Sequence, residues 1–330
     1  MKSVKNESKI VVIGGGTGSF TVLSGIKKYF KNITALVSMA DDGGSTGQLR
    51  DDYGVLPSGD VRQCLVALSK SPKARDLFNY RFENGGLDGH SFGNLFLTAL
   101  EKTTGNFRDG IKLASQILRV QGLVEPITLD KVTLVIKDGE NITRREHNID
   151  DKVFDNLRPQ IWLEPKSEPN PEALEAIKKA QIIIIAPGSL YTSIGAALVV
   201  PGIGKALKKS HAKKIYISNL INKPGQTDKF SPLDYAQEIE RMAGEEFIDL
   251  VLYNNRKPSE QLLKKYADDG ELPTESIDQM DSKEAHYKLF GANLIDKKIS
   301  MKIPGDKVKR TFIRHDSDLL AKSILKVVEK

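Results

Sequence analysis

The sequence predicts an α/β protein of three layers, a Rossmann-like doubly wound and mainly parallel sheet between helices, with a small antiparallel β insertion. Apolar runs at residues 10–13, 182–186 and 215–218 lack polar alternation, the pattern of strands covered on both faces. The first enters Gly14-Gly15-Gly16-Thr17-Gly18, the second Pro187-Gly188-Ser189, and the third ends at Asn219. Helical periodicity follows, and strand, tight turn and helix in repetition mark a wound sheet.

In chain order, the strand at 10–13 is followed by a helix whose face carries Val22, Ile26 and Tyr29, with Leu23 and Phe30 beside them. A second strand covers 33–37. Asp60 reads as an N-cap with Arg62 one turn inside, and Ser91 as the cap of an apolar helix over 95–100. Residues 132–136, the Lys137-Asp138-Gly139-Glu140 turn and the run from Ile142 read as a β-hairpin, placing an antiparallel insertion at about residues 127–165. Ser231-Pro232 opens a helix that Gly244 closes, and the last helix follows Asp316-Ser317 with Leu320, Ile324 and Val327 on one face. The nucleotide-type motifs run from one end to the other, so residues 1–330 read as a single domain.

Composition narrows the function classes. With 39% apolar and 28% charged residues over 330 positions, the chain is too apolar for disorder and long enough for a large core. One cysteine, Cys64, excludes an intrachain disulfide and a Cys-based metal centre. The net charge of +6 comes from scattered bases; Lys205, Lys208, Lys209, Lys213 and Lys214, the densest group, read as a solvated helix face. The expectation is no nucleic-acid partner, and a small anionic ligand instead. The longest apolar run, 182–186, is far below the ~20 residues a membrane span needs, and the polar start offers no signal peptide. A cytoplasmic protein without a membrane partner is expected.

Gly14, Gly15, Gly16, Thr17 and Gly18 allow a sharp turn whose exposed N–H groups suit a phosphate, although two glycines would suffice for a plain tight turn. Ser19 stands where a dinucleotide fingerprint has its third glycine, and no Walker Gly-Lys-Ser/Thr follows. Asp41 and Asp42, before Gly43, Gly44 and Ser45, suit magnesium or sugar hydroxyls, or an acidic surface turn. Asp60 with Arg62 reads as a phosphate contact or as a cap with a surface Arg. His90 and Asn94 precede an apolar helix, where His90 suits a phosphate or base, or a buried position. Gly188, Ser189, Tyr191 and Thr192 suit a second anionic group, and no Gly-x-Ser-x-Gly nucleophile turn or His-based metal spacing is present.

Taken together these motifs, with Gly59-Asp60-Val61-Arg62 and Ile313-Arg314-His315-Asp316, occur in the order found in the YvcK-type gluconeogenesis factors, bacterial relatives of the CofD-like 2-phospho-L-lactate transferases. The chain resembles that family from about residue 9 to 328. The resemblance implies a Rossmann-like fold and a cytoplasmic protein needed for cell shape and for growth on gluconeogenic carbon. It also implies UDP-N-acetylglucosamine binding, peptidoglycan precursor supply, a protein partner there, and a homo-oligomer. The CofD-like relatives are magnesium-dependent enzymes that join a phospholactyl group to a deazaflavin. By position, the two glycine turns would hold the nucleotide phosphates, and Asp41 and Asp42 match the family's acidic pair. Asn219 belongs to the expected binding set, and Tyr266 and Arg314 match positions tied to UDP-sugar binding. Gln226 stands where relatives usually carry Glu, Ser58 changes a Pro-Pro-Gly turn, and Ser317 replaces a phosphorylatable Thr. A magnesium-dependent nucleotidyl- or phospho-group transferase is the alternative. A nicotinamide oxidoreductase is disfavoured by Ser19 and by the lack of an acidic residue at the usual place after the second strand.

Overall fold

The computed structural model describes residues 7–155, 158–258, 260, 263, 272–275, 277, 285–296 and 313–329. Its strands, in chain order, are β1 (Lys9–Ile13), β2 (Asn32–Val37), β3 (Leu123–Pro126), β4 (Thr133–Asp138), β5 (Asn141–Arg144), β6 (Gln160–Glu164), β7 (Ile182–Ile185), β8 (Lys213–Ile217), β9 (Leu250–Asn254) and β10 (Lys288–Ala292). Seven of them form one sheet in the order β10-β9-β8-β7-β1-β2-β3, every pairing in it parallel. Alternation inside β1 and β7 shows why these runs are apolar throughout. Val11, Ile13, Ile183 and Ile185 enter one core, while Ile10, Val12, Ile182 and Ile184 enter the core on the opposite face. No residue of either strand's centre can be polar without breaking one layer.

The helices are α1 (Gly16–Ile26), α2 (Gly44–Tyr53), α3 (Gly59–Leu68), α4 (Pro72–Asn79), α5 (Phe92–Thr104), α6 (Phe107–Ile117), α7 (Glu146–Asp150), α8 (Pro171–Lys179), α9 (Ala196–Leu198), α10 (Ile203–Lys209), α11 (Pro232–Ala243) and α12 (Ser317–Val328). Helices α1, α3, α5, α6 and α12 cover one face, and α8, α10 and α11 the other. Helix boundaries follow local chemistry. Ser231 and Asp234 make a reciprocal capping box at α11, and Gly244 closes it in the left-handed region. Ser91 Oγ accepts from Asn94 N–H at the start of α5. No single described helix is long and apolar enough to cross a membrane.

The expected insertion is a three-stranded antiparallel sheet, β5-β4-β6. The hairpin turns at Gly139, whose φ of +59° is the left-handed value an L side chain resists. Strand β6 adds to β4 on the side away from β5. Leu134, Ile136 and Leu163 bury their side chains in the same core as α11, which seats the insertion against that face of the large sheet. Strand β1 lies between its sequence neighbour β2 and the distant β7. Connections leave the sheet in opposite directions there, which makes the carboxyl ends of β1 and β7 the switch point where wound sheets form their ligand crevice.

Candidate functional site

Both glycine turns lie at this crevice. Register pairs Ile13 with Ile185, and Ala186 N–H donates to Ile13 O at 2.9 Å, so the two turns leave the sheet side by side. Gly14 (φ +145°) and Gly16 (φ +62°) give the sharp bend into α1. Gly18 has a different role. A Cβ there would stand 1.7 Å from the Pro187 carbonyl oxygen, so only glycine lets α1 approach the second turn. The second turn runs into a π-helical segment, Leu190–Gly195, that continues into α9. Such wide turns recur at functional sites.

Asp60 does not cap α3. The N-cap is Ser58, and Asp60 sits inside the first turn with its carboxyl against the glycine loop. Gly15 has room for it only because it has no Cβ, which would lie 1.8 Å from Asp60 Oδ2, and the Gly16 N–H donates to the same carboxyl. The donor read in the sequence as a phosphate site therefore already faces an acidic group. Asp41 comes in from the β2 side. Its carboxyl accepts from Gly43 N–H at 3.1 Å and bonds the Thr46 side chain.

Asp41 and Asp42 hold different partners, although the Asp42 charge still acts on Asp41. Asp42, with 1% of its side chain exposed, lies 3.7 Å from Arg145 Nε and accepts from His147 N–H at 3.0 Å, so it anchors the insertion. Asp41 is instead grouped with Asp60 and with Glu146, the first residue of α7. Gly43 stands between them: a Cβ there would lie 3.6 Å from Asp41 Oδ1 and 3.8 Å from Glu146 Oε2.

Burial and mutual repulsion make these groups reluctant to ionise. Desolvation, then the Asp41 charge, pushes Asp60 up to about 7, although Gly16 N–H and Arg62 oppose the shift. Glu146 is pushed up to about 9 by desolvation, then by Asp41, Asp150 and Asp60. Asp41 is raised by burial and by Asp42, against the hydrogen bonds from Gly43 and Thr46. The described residues gather acidic groups at this end of the sheet. The Arg62 guanidinium opposes the shifts of both Asp41 and Asp60, and it is held by Asn94 Oδ1 at 2.9 Å and Asn79 Oδ1 at 2.7 Å.

The other expected residues divide between the crevice and its supports. Ser45 Oγ pairs with His90 Nδ1 at 2.9 Å and accepts from Asn94 Nδ2 at 3.3 Å, so His90, Asn94 and Arg62 brace the Asp41 turn from behind. Gly44, at φ +46°, begins α2, and Thr17 lies in the first turn of α1. Asn219 Nδ2 donates to Gly188 O at 2.8 Å and steadies the second turn. Ser189 and Thr192 share a 2.7 Å hydrogen bond at the start of the π-helical segment. Tyr191 turns the other way. It is fully buried with its ring edge-on to Phe154, so it belongs to the core and not to a ligand surface. Arg314 is half-buried beside His315, which bonds the Ser218 backbone at the end of β8. Tyr266 lies outside the described residues.

Glu146, Asp150, Lys223 and Thr46 were not read as site residues. Glu146 and Asp150 are four apart on α7, a spacing that sets both on one helix face. That signal was present in the sequence. Gln226 has a structural role in place of the carboxylate expected from relatives: its buried Nε2 donates to Ile149 O at 2.8 Å, Asp150 O at 3.2 Å and Lys152 O at 2.9 Å. Glu, with no donor when ionised, could not make these bonds.

Among the described residues no three His, Cys, Asp or Glu side chains form a metal-binding group. Asp41 and Asp60 fit the sparser arrangement usual for magnesium, one or two carboxylates with ligand phosphates and water completing the shell. A cation there would offset the burial that raises both groups and the charge of Asp41 that adds to the shift of Asp60.

Comparison with known proteins agrees with this architecture. Residues 10–295 match the family described as 2-phospho-L-lactate transferase CofD. The chain is 36% identical to the gluconeogenesis factor of Bacillus subtilis over 328 residues, 98% of each chain. It is 42% identical to the gluconeogenesis factor of Halalkalibacterium halodurans over 272 residues, 81% of this chain and 84% of that one. A crystal structure of a UPF0052 family member from Bacillus halodurans superposes with a TM-score of 0.86 at 36% identity, covering 97% of this chain and 99% of that one. Likeness over nearly the whole length, on a wound sheet with both glycine turns at its switch point, places this chain in the CofD family among its gluconeogenesis factors.

Proposed function

We propose that the protein binds a sugar nucleotide, UDP-N-acetylglucosamine, with magnesium, and uses its occupancy to regulate cell-wall precursor supply during gluconeogenic growth. It would do so in the cytoplasm, through a protein partner in precursor synthesis. The observation that carries this reading is the contact of Gly18 with the Pro187 carbonyl, which sets two phosphate-type turns side by side at the switch point of the sheet. A diphosphate entering there meets the carboxyl groups of Asp41, Asp60 and Glu146, and a divalent cation would favour their ionised form and bridge it to the phosphate oxygens. Arg314, beside the end of β8, is the residue proposed to fork onto the ligand's phosphates.

The carboxyl group also favours a second reading, a magnesium-dependent transferase of a phosphorus-containing group, in which Asp41 and Asp60 would hold the ion that orients and neutralises the reacting phosphate. One panel of melting curves separates the readings. With magnesium present, UDP-N-acetylglucosamine at ~100 times its dissociation constant should add about 2.7 kcal/mol of stability, while GDP and NAD leave the curve unmoved. If no uridine nucleotide shifts the transition, the binding reading is rejected. Release of phosphate or pyrophosphate from UTP and a sugar phosphate would put the transferase first.

A further inference from the structure

Asp150 lies at the carboxyl end of α7, and its side chain reaches out of the insertion to the second glycine turn. Its Oδ1 is 2.5 Å from Lys223 Nζ, 3.2 Å from Thr192 Oγ1 and 3.4 Å from Ser189 Oγ. An ammonium from one loop and two hydroxyls from the second glycine turn thus converge on one carboxylate oxygen. Both charged side chains keep contact with solvent, 42% exposed for Asp150 and 35% for Lys223. A buried structural ion pair would not be so open. A third hydroxyl, Ser193 Oγ, is buried on the same turn without a hydrogen-bond partner, 3.4 Å from where a Gly188 Cβ would stand.

We infer that Ser189, Thr192 and Lys223 form a phosphate subsite that the protein occupies with its own Asp150, a latch that a phosphoryl group of the ligand displaces. The inference rests on the sugar-nucleotide reading for the ligand's identity, but its anion chemistry is independent of the uridine and the sugar. A phosphate brings more negative charge and more acceptor oxygens than a carboxylate to the same donors. The latch is weak for two reasons. Exposed ion pairs contribute little, and Asp150 also faces Glu146, whose proton affinity it raises.

The backbone dictates how the latch opens. Gln226 holds the carbonyls of Ile149, Asp150 and Lys152, and Phe154 N–H donates to Gly225 O at 2.8 Å. Helix α7 is therefore fixed to the 219–230 loop, and Asp150 leaves by rotation of its side chain. Lys223 stays in place, its N–H bound to Thr227 Oγ1 at 2.8 Å. Release frees Lys223 for the ligand without moving the Glu146 end of the helix.

The test uses the full chain and two probes, inorganic pyrophosphate and UDP-N-acetylglucosamine, titrated calorimetrically into wild type, D150N, K223M and the double variant. D150N keeps the shape and the hydrogen-bonding oxygen but removes the charge. It should bind pyrophosphate about fivefold tighter than wild type, the scale of one exposed ion pair. K223M should bind more weakly than wild type, and D150N should bring no gain in the K223M background. Melting curves of all four proteins without ligand check that each is folded, and D150S serves if D150N is not. Equal or weaker binding by D150N, or a gain that survives K223M, overturns the latch. If pyrophosphate shows the expected pattern while UDP-N-acetylglucosamine binds no variant, the latch stands and the sugar-nucleotide reading falls. If neither probe binds any variant, both fall.

Discussion

Gly18→Ala is expected to destabilise the protein by about 3 kcal/mol or more and to abolish nucleotide binding. The added methyl would stand 1.7 Å from the Pro187 carbonyl oxygen and 2.7 Å from its carbon. Both are backbone atoms, so no flexible side-chain end can move aside. Neither side can retreat cheaply. Helix α1 is tied to β1 by the short Gly14-Gly15 turn, Pro187 follows β7, and the two strands are paired from Ile10 to Ile13. Relief requires prising the turns apart at the crevice they form. Gly86→Ala is the control, because that glycine is exposed and a Cβ there meets nothing within 4 Å. Urea denaturation of the two variants measures the difference. A Gly18→Ala midpoint equal to wild type would show that the turns are not in contact.

Asp60→Asn should stabilise the metal-free protein while removing its magnesium response. Folding places this carboxyl in a poorly solvated position beside Asp41 and moves it from the ordinary 3.8 up to about 7. Between those values the unfolded chain is ionised at this position and the native one is protonated. Folding therefore takes up a proton, and native stability rises as pH falls from about 7 toward 4. Above 7 the native carboxylate carries its full cost. The amide carries none, so the variant's advantage is greatest at pH 8 in chelator and shrinks toward pH 4. Melting temperatures at pH 8 and pH 5 check the sign. An Asp60→Asn protein that melts lower than wild type at pH 8 would mean that the carboxylate is held by favourable contacts and not crowded by like charge. A gain in stability with a loss of function is the pattern expected where charge is gathered to hold a cation.

Much of the fold was legible because its central strands must be apolar on both faces. Residues 10–13 and 182–185 have no polar position, and the turns after them are dense in glycine, so strand, turn and switch-point crevice could be read in order. Strands β3, β9 and β10 were missed, β9 although it is interior and apolar, and β3 and β10 for the opposite reason. Those two lie at the edges of the sheet, where Leu123 and Lys288 remain exposed and a short, mixed segment suffices. Strand β6 gave little signal, since one face of the insertion's sheet is solvated.

The site was legible in its loops and not in its pairings. Asp41 and Asp42 are neighbours in sequence, which suggested a shared ion, but consecutive residues leave the backbone in different directions. Asp42 went to the insertion, and Asp41 met Asp60 and Glu146 from other elements. Asp60 carried an ordinary cap signal, and only the fold shows that the glycine loop was shaped around its carboxyl. Tyr191 shared a motif with Ser189 and Thr192, yet the widened π-helical turn sends it into the core.

The most direct measurement is a calorimetric titration of UDP-N-acetylglucosamine into the wild-type protein, in magnesium and again in chelator. Saturable one-site binding is expected in magnesium, weakened at least about tenfold on chelation, because phosphate and the Asp41 and Asp60 carboxyl groups then meet without a cation between them. Binding of equal strength in chelator, or no binding heat in either condition, would contradict this expectation.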